Sequence, residues 1–268
     1  MNKLILILIM IYGFSIAYSN PLPDEIILYK KIQSTNLKLH VFNPKINIKR
    51  KRPAIIFFFG GGWNNGSPEQ FYKQARYFSN LGVVSFSAEY RVKSRDDVKP
   101  DSCIMDAKPA IRFVRENASV WNIDENKIIA SGGSAGGHLA AATATLKEFN
   151  DEQDNLNYSS VPNALILFNP VLDTYFATRR LGELAKKISP LQNIGPKMPP
   201  TLILHGTKDT IVPHKQAIDF KNMMIEKGHN CEVELYEEMP HGFFNQKKYD
   251  ETIKRASEFI DELGWINK

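Results

Sequence analysis

Residues 127–138 read Lys127-Ile128-Ile129-Ala130-Ser131-Gly132-Gly133-Ser134-Ala135-Gly136-Gly137-His138, and an alanine-rich run from Leu139 to Leu146 follows. The opening residues have the β-branched character of a buried strand, and the alanine-rich run has that of a helix. Between them lies Gly-x-Ser-x-Gly. A serine on so sharp a turn needs glycine two before and two after, because neighbouring backbone passes where Cβ atoms would stand. The turn then projects the hydroxyl from the strand end. This setting makes Ser134 a candidate nucleophile. The competing reading is a glycine-rich turn whose amides receive an anion at the helix N-terminus. Whether a base and an acid follow decides between them.

Working outward, apolar runs recur at 26–28, 37–42, 54–59, 83–86, 164–168, 201–204 and 232–236. Most from Ala54 onward are short and continuously apolar, as strands covered on both faces are. Between them Cys103, Ala107, Ile111 and Val114 form one helical stripe, and Ile253, Ala256, Ile260 and Leu263 another. Pro213 opens a third helix through Ala217, Phe220 and Met224, which Gly228 stops where a left-handed residue is needed. Strands alternating with helices predict an α/β fold: a mostly parallel sheet of about eight strands with helices on both faces. The two earliest strands, separated only by residues 33–36, read as an antiparallel hairpin at the sheet edge. No repeat or composition break marks a second domain, so residues 20–268 are expected to form one. Residues 171–200 read as a small cap region over the top of the sheet, where active-site loops gather.

The chain has 268 residues, 43% of them hydrophobic and 24% charged, which excludes a disordered tail or a disulfide scaffold. A formal net charge of +5 is mild. The densest basic stretch, Lys49-Arg50-Lys51-Arg52, lacks interleaved aromatics and reads as a solvated loop, so no nucleic acid partner is expected. Lys3, an apolar run over 4–17 and the small residues of Ala17-Tyr18-Ser19 predict a signal peptide over residues 1–19. That run is shorter than the roughly 20 residues that span a bilayer, which favours cleavage and a secreted or periplasmic protein over an uncleaved anchor. No membrane attachment is expected after cleavage. Cys103 falls on an apolar helix face and Cys231 starts a strand, favouring two buried thiols over a bridge. CxxC, HExxH, Walker and EF-hand patterns are absent, so neither a metal nor a cofactor is indicated.

A serine hydroxyl is a poor nucleophile near neutral pH unless a histidine takes its proton and a carboxylate fixes that histidine's tautomer. His40, His138, His205, His214 and His229 lie in or beside strands and helices. His241 instead sits in Glu238-Met239-Pro240-His241-Gly242-Phe243, a loop after the last strand, and is the candidate base. Asp209, in Leu204-His205-Gly206-Thr207-Lys208-Asp209, is the candidate acid, with Asp173 one strand earlier in reserve. Phe59-Gly60-Gly61-Gly62-Trp63 follows the first long apolar strand. With the N–H of Ala135, donors from Gly61 and Gly62 would hold the negative oxygen of an attacked carbonyl, where each donor is worth roughly 3–4 kcal/mol in the transition state.

The order Ser134, Asp209, His241, the Gly-Gly-Gly-Trp loop and the endings His-Gly-Thr-Lys-Asp and Pro-His-Gly-Phe resemble the α/β-hydrolase fold. More narrowly, they resemble the hormone-sensitive-lipase-like esterases and the compact secreted acetyl-esterases found with xylan-degrading enzymes. The resemblance implies Ser134 as nucleophile, His241 as base, Asp209 as acid, and Gly61, Gly62 and Ala135 as oxyanion donors, with Glu89-Tyr90-Arg91 structural. It implies a cofactor-free serine esterase acting on a small ester or acylated carbohydrate, such as acetyl or feruloyl groups on xylan. Trp63 would bind substrate by stacking on a sugar ring, or pack in the core. Two departures stand out: Phe59 occupies the place of the usual His before the glycines, and the segment before Ile26 is too short for a helical lipase cap. Lipase-like esterase, arylformamidase and peptidase chemistry are the alternatives on this fold, and a catalytically dead binding module is the non-enzymatic one.

Overall fold

Period-two alternation in the central apolar runs divides the interior into two layers. The computed structural model describes residues 21–46 and 49–266; the signal peptide expected over 1–19 lies outside the described residues. In chain order the elements are β1 (Glu25–Ile32), β2 (Thr35–Phe42), β3 (Arg52–Phe58), α1 (Tyr72–Asn80), β4 (Val84–Ala88), α2 (Lys93–Asp96), α3 (Pro100–Glu116) and β5 (Ile123–Gly133). They continue with α4 (Ala135–Thr145), β6 (Ala164–Phe168), α5 (Thr178–Leu181), α6 (Leu184–Lys187), β7 (Thr201–Gly206), α7 (Lys215–Glu226), β8 (Cys231–Tyr236) and α8 (Tyr249–Glu262). The strands form one sheet in the order β1-β2-β4-β3-β5-β6-β7-β8. The β1–β2 and β2–β4 pairs are antiparallel and every later neighbour is parallel, which places the hairpin at the edge.

On β3, Ala54, Ile56 and Phe58 enter the layer built with α3, α4 and α7, while Ile55 and Phe57 enter the layer built with α1 and α8. On β6, Leu165 and Leu167 divide from Ala164, Ile166 and Phe168 in the same way. Each large apolar side chain buried here contributes roughly 1.5–3 kcal/mol. The α/β-hydrolase arrangement expected from the sequence is therefore the one observed. β5 is longer than its apolar run because its polar start, from Ile123, already pairs beside Arg52 of β3.

One polar cluster ties the edge hairpin to this core. Pro109, inside α3, has no N–H to give the carbonyl of Met105. Lys30 of β1 takes that vacancy, donating from Nζ to Met105 O at 2.6 Å, and lies 3.2 Å from both Asp106 and Asp151. Asp106 is fully buried and receives Arg91 Nε at 2.8 Å, Arg91 Nη2 at 2.9 Å and the Arg91 N–H at 3.1 Å. Removing one partner from such a set leaves uncompensated charge, at a cost of about 3–5 kcal/mol. The Glu89-Tyr90-Arg91 step is thus structural, locked to α3. Cys103 and Cys231 are both buried and unbridged, and burial pushes the Cys231 thiol up to about 12.

Residues 171–200 form a low cover of two 3-10 turns, Thr174–Ala177 and Leu191–Asn193, with the single-turn helices α5 and α6. Among the described residues no helix is long and apolar enough to cross a membrane. His138 of α4, fully buried, joins this cover to the loop after β3. Its Nε2–H donates to Ile188 O at 2.8 Å, and its Nδ1 accepts the Trp63 indole N–H at 3.2 Å. Those bonds select the neutral ring. Burial lowers its pKa from 6.5 to about 4, with the bond to Ile188 opposing. The unfolded chain therefore binds this proton first, so the contribution to stability is whole above 6.5 and is lost as the pH falls toward 4. Between about pH 7 and about pH 5 the unfolding free energy of the native protein should drop by about 2 kcal/mol more than that of His138→Gln, measured by urea titration. Equal drops would refute a neutral, buried His138.

Candidate active site

β5 ends at Gly133 and α4 starts at Ala135, so Ser134 alone makes the turn, with φ 54° and ψ −117°. A non-glycine residue held there costs about 1–3 kcal/mol and persists only where its surroundings fix it. Here the Ser134 N–H donates to Phe168 O at 3.0 Å, and the Ser134 carbonyl accepts the N–H groups of His138 at 3.0 Å and Val171 at 3.2 Å. A Cβ on Gly132 would stand 2.5 Å from Phe58 O, and one on Gly136 would stand 2.0 Å from the same oxygen. Both positions flanking the serine therefore exclude every side chain.

The loop after β3 is ordered with Phe59, in place of the expected histidine, before its glycines. The Phe59 ring stacks on Tyr90 with centroids 4.0 Å apart, and the Tyr90 hydroxyl donates to Phe59 O at 2.6 Å. Gln70 Oε1 accepts the Gly60 N–H at 2.6 Å, while the N–H groups of Asn64 and Asn65 close onto Gly61 O at 3.0 and 3.2 Å. Among the described residues the N–H groups of Gly61, Gly62 and Ala135 have no acceptor, so they remain available as donors.

Trp63 is a correction to the sequence reading. It is only 3% exposed and belongs to the core beneath the loop, because its indole N–H is satisfied by His138 and its ring edge packs on that imidazole. It does not line the cavity and offers no face for a sugar.

Asp209 and His241 lie at the ends of adjacent strands, β7 and β8, and meet. His241 Nδ1–H donates to Asp209 Oδ2 at 2.6 Å. The same oxygen lies 3.3 Å from His205 Nε2, and Oδ1 accepts the N–H groups of Ile211 at 2.9 Å and Val212 at 2.8 Å. Burial alone would raise the carboxyl pKa. The bonds from His205, His241 and Val212 and the charge on His241 outweigh it and hold the group well below the usual carboxylate range. Asp209 is thus an anion at neutral pH. Its contribution to stability is present above the ordinary carboxylate value and is lost as the pH falls toward its depressed one. Asp173 does not reach His241: its Oδ1 accepts the Tyr175 N–H at 2.9 Å and lies 3.3 Å from Ser189 Oγ.

Ser134 and His241 line one cavity of about 310 Å³ with Gly60, Gly61, Gly62 and Asn169. They share no hydrogen bond in this structure; the His241 Nε2 lone pair instead faces the Asn169 Nδ2–H at 3.5 Å. Such contacts are often long before substrate binds. Asn169 also accepts the Gly242 N–H at 3.1 Å, steadying the histidine loop. Neither Asn169 nor Gln70 was singled out from sequence. Asn169 directly follows β6 beside the serine turn, a position that strand-end logic can flag, whereas nothing local distinguishes Gln70. Phe244, packed against Phe71 and Phe168, closes the cavity wall. A hydroxyl on a strained turn, an imidazole oriented by a carboxylate and unoccupied amide donors together suit acyl transfer.

The family described as BD-FAE matches residues 39–181 and 176–224. A solved esterase from Thermogutta terrifontis, with propionate bound, is similar at 41% identity with a TM-score of 0.86, covering 91% of this chain and 96% of that one. Esterase LipQ of Mycobacterium tuberculosis is 30% identical over 83% of this chain and 58% of its own length. The acetylxylan esterase of Xylanibacter ruminicola is 26% identical over 80% of this chain and 45% of its own. The chain spans about half the length of these curated relatives.

The geometry separates the two candidate acids. Asp209→Asn presents an amide to His241 and favours the wrong tautomer, so turnover of an activated ester should fall by about 10³–10⁴. Asp173→Asn keeps its capping oxygen and should retain most activity. The reverse ranking in steady-state kinetics would refute the pairing.

Proposed function

The chain belongs to the BD-FAE family and folds as an α/β-hydrolase, and from that premise we propose that it is a serine esterase releasing short acyl groups from plant polysaccharide such as xylan. The observation that carries the reading is the 2.6 Å Asp209–His241 pair, set over the cavity that also holds Ser134 and the Gly61–Gly62 amides. His241 Nε2 takes the Ser134 proton as Oγ bonds to the ester carbonyl carbon. The resulting oxyanion is held by the N–H groups of Gly61, Gly62 and Ala135, and Asp209 stabilises the imidazolium. The C–O bond to the alcohol then breaks, and Nε2–H gives its proton to the departing oxygen. Water repeats the sequence on the acyl-enzyme, releasing the acid and restoring Ser134.

The short-acyl preference is supported by a cavity at the small end of the usual range, about 310 Å³, whose inner wall is the fixed ring of Phe244. Propionate bound to one relative and the acetylxylan name of another point the same way. Export to the periplasm or medium is part of the proposal and rests on residues 1–19. Feruloyl groups, the other acyl class expected on such polysaccharide, remain within it. Across a nitrophenyl ester series, kcat/KM should be greatest at acetyl to butyryl and fall beyond about six carbons, since each methylene adds only about 1–3 kcal/mol where an apolar contact exists. Acetate should also be released from acetylated xylan. A maximum at long chains, with no release from acetylated or feruloylated xylan, would refute the carbohydrate-ester reading.

A further inference from the structure

The cover carries a cation that the catalytic cycle does not use. Arg180, in α5, is exposed, and its guanidinium carbon lies 5.2 Å from the centre of the Trp63 ring. Its Nη1 is 3.8 Å from the point where a Cβ on Gly62 would stand, and Gly62 lines the cavity beside Ser134. Among the described residues no carboxylate lies within salt-bridge distance of it. The surrounding segment, residues 178–187, holds Arg179, Arg180, Lys186 and Lys187 against Glu183 as its single acid. This cation beside the Gly60–Gly62 loop is thus stacked on one face, which restrains its plane while its N–H fork has no acceptor among the described residues. That is the form in which guanidinium recognises a carboxylate through two parallel bonds.

Its placement selects the part of the substrate it meets. The buried lining of the cavity is Gly60, Gly133, Asn169 and Phe244, whereas Gln70 and Ile211 are exposed at its rim and Gly62, on the Arg180 side, is half-buried. An acyl group seated on that lining sends its alcohol outward across the rim. We propose that Arg180 binds a carboxylate on the alcohol portion of the ester, so that the preferred substrates are acyl esters of acidic alcohols such as sugar acids. This rests on the esterase reading above and narrows its substrate class.

The test compares 4-acetoxybenzoate with 4-acetoxybenzamide, which share the acetyl group and ring and differ in charge. In the full-length protein at low salt, Arg180→Gln should lower the benzoate-to-benzamide ratio of kcat/KM by about three- to fivefold, carried mainly by KM, the range open to an exposed ion pair. Arg180→Glu should lower it further, and Arg180→Lys should keep much of it. Raising the salt to about 1 M should shrink the native ratio toward that of Arg180→Gln. An unchanged ratio in Arg180→Gln and Arg180→Glu, with both esters hydrolysed, would overturn the carboxylate site and leave the esterase reading intact. Hydrolysis of neither ester by the native protein would overturn both.

Discussion

The structure depends on one close approach: the carbonyl of Phe58, at the end of β3, lies where Cβ atoms on Gly132 and Gly136 would stand. Only with both absent do β5 and α4 close to that distance, and only then does Ser134 take its left-handed turn. The bond from its amide to Phe168 O and those from His138 and Val171 to its carbonyl hold the strain in place. Two neighbouring loops are registered from the same point. β3 delivers Gly60–Gly62 beside the serine, and β6 delivers Asn169 and the start of the cover. The hydroxyl, the amide donors and the histidine partner therefore share one rigid origin in the central strands.

Around that origin, polar groups are satisfied in ways that also position the chemistry. Tyr90 and Gln70 hold the Gly60–Gly62 loop through Phe59 O and the Gly60 N–H. Asp209 collects two backbone amides and two imidazoles, so its charge is fixed before any substrate arrives. Trp63 and His138 satisfy each other in the core, and Arg180 lies over the ring that results. The oxyanion loop is thus supported by an aromatic contact on each side, Phe59 stacked on Tyr90 and Trp63 edge-to-face with His138.

Much of this was legible in the sequence, for local reasons. Short apolar runs separated by helical stripes give the sheet, and glycines flanking Ser134 in a strand-to-helix setting give the turn. Asp209 and His241 were found because each follows a strand in a loop rich in Gly or Pro, and consecutive parallel strands put such loops on one edge. The rest depended on distant partners. Trp63 looked accessible beside a glycine loop until His138, 75 residues on, supplied the acceptor for its N–H. Pro109 reads as a helix fault, and only the tertiary fold shows Lys30 using the carbonyl it releases. Gln70 and Asn169 are polar residues of ordinary appearance whose roles arise from what they face.

The central claim is that the strained turn presents Ser134 Oγ as a nucleophile activated by His241. Treatment with a fluorophosphonate probe, followed by intact mass and peptide mapping, reads that claim directly, because the probe captures an activated serine and ignores ordinary ones. The account predicts one adduct per chain on Ser134, absent from Ser134→Ala and formed far more slowly in His241→Ala. A folded protein that takes no adduct, or takes it on another residue, would contradict the account.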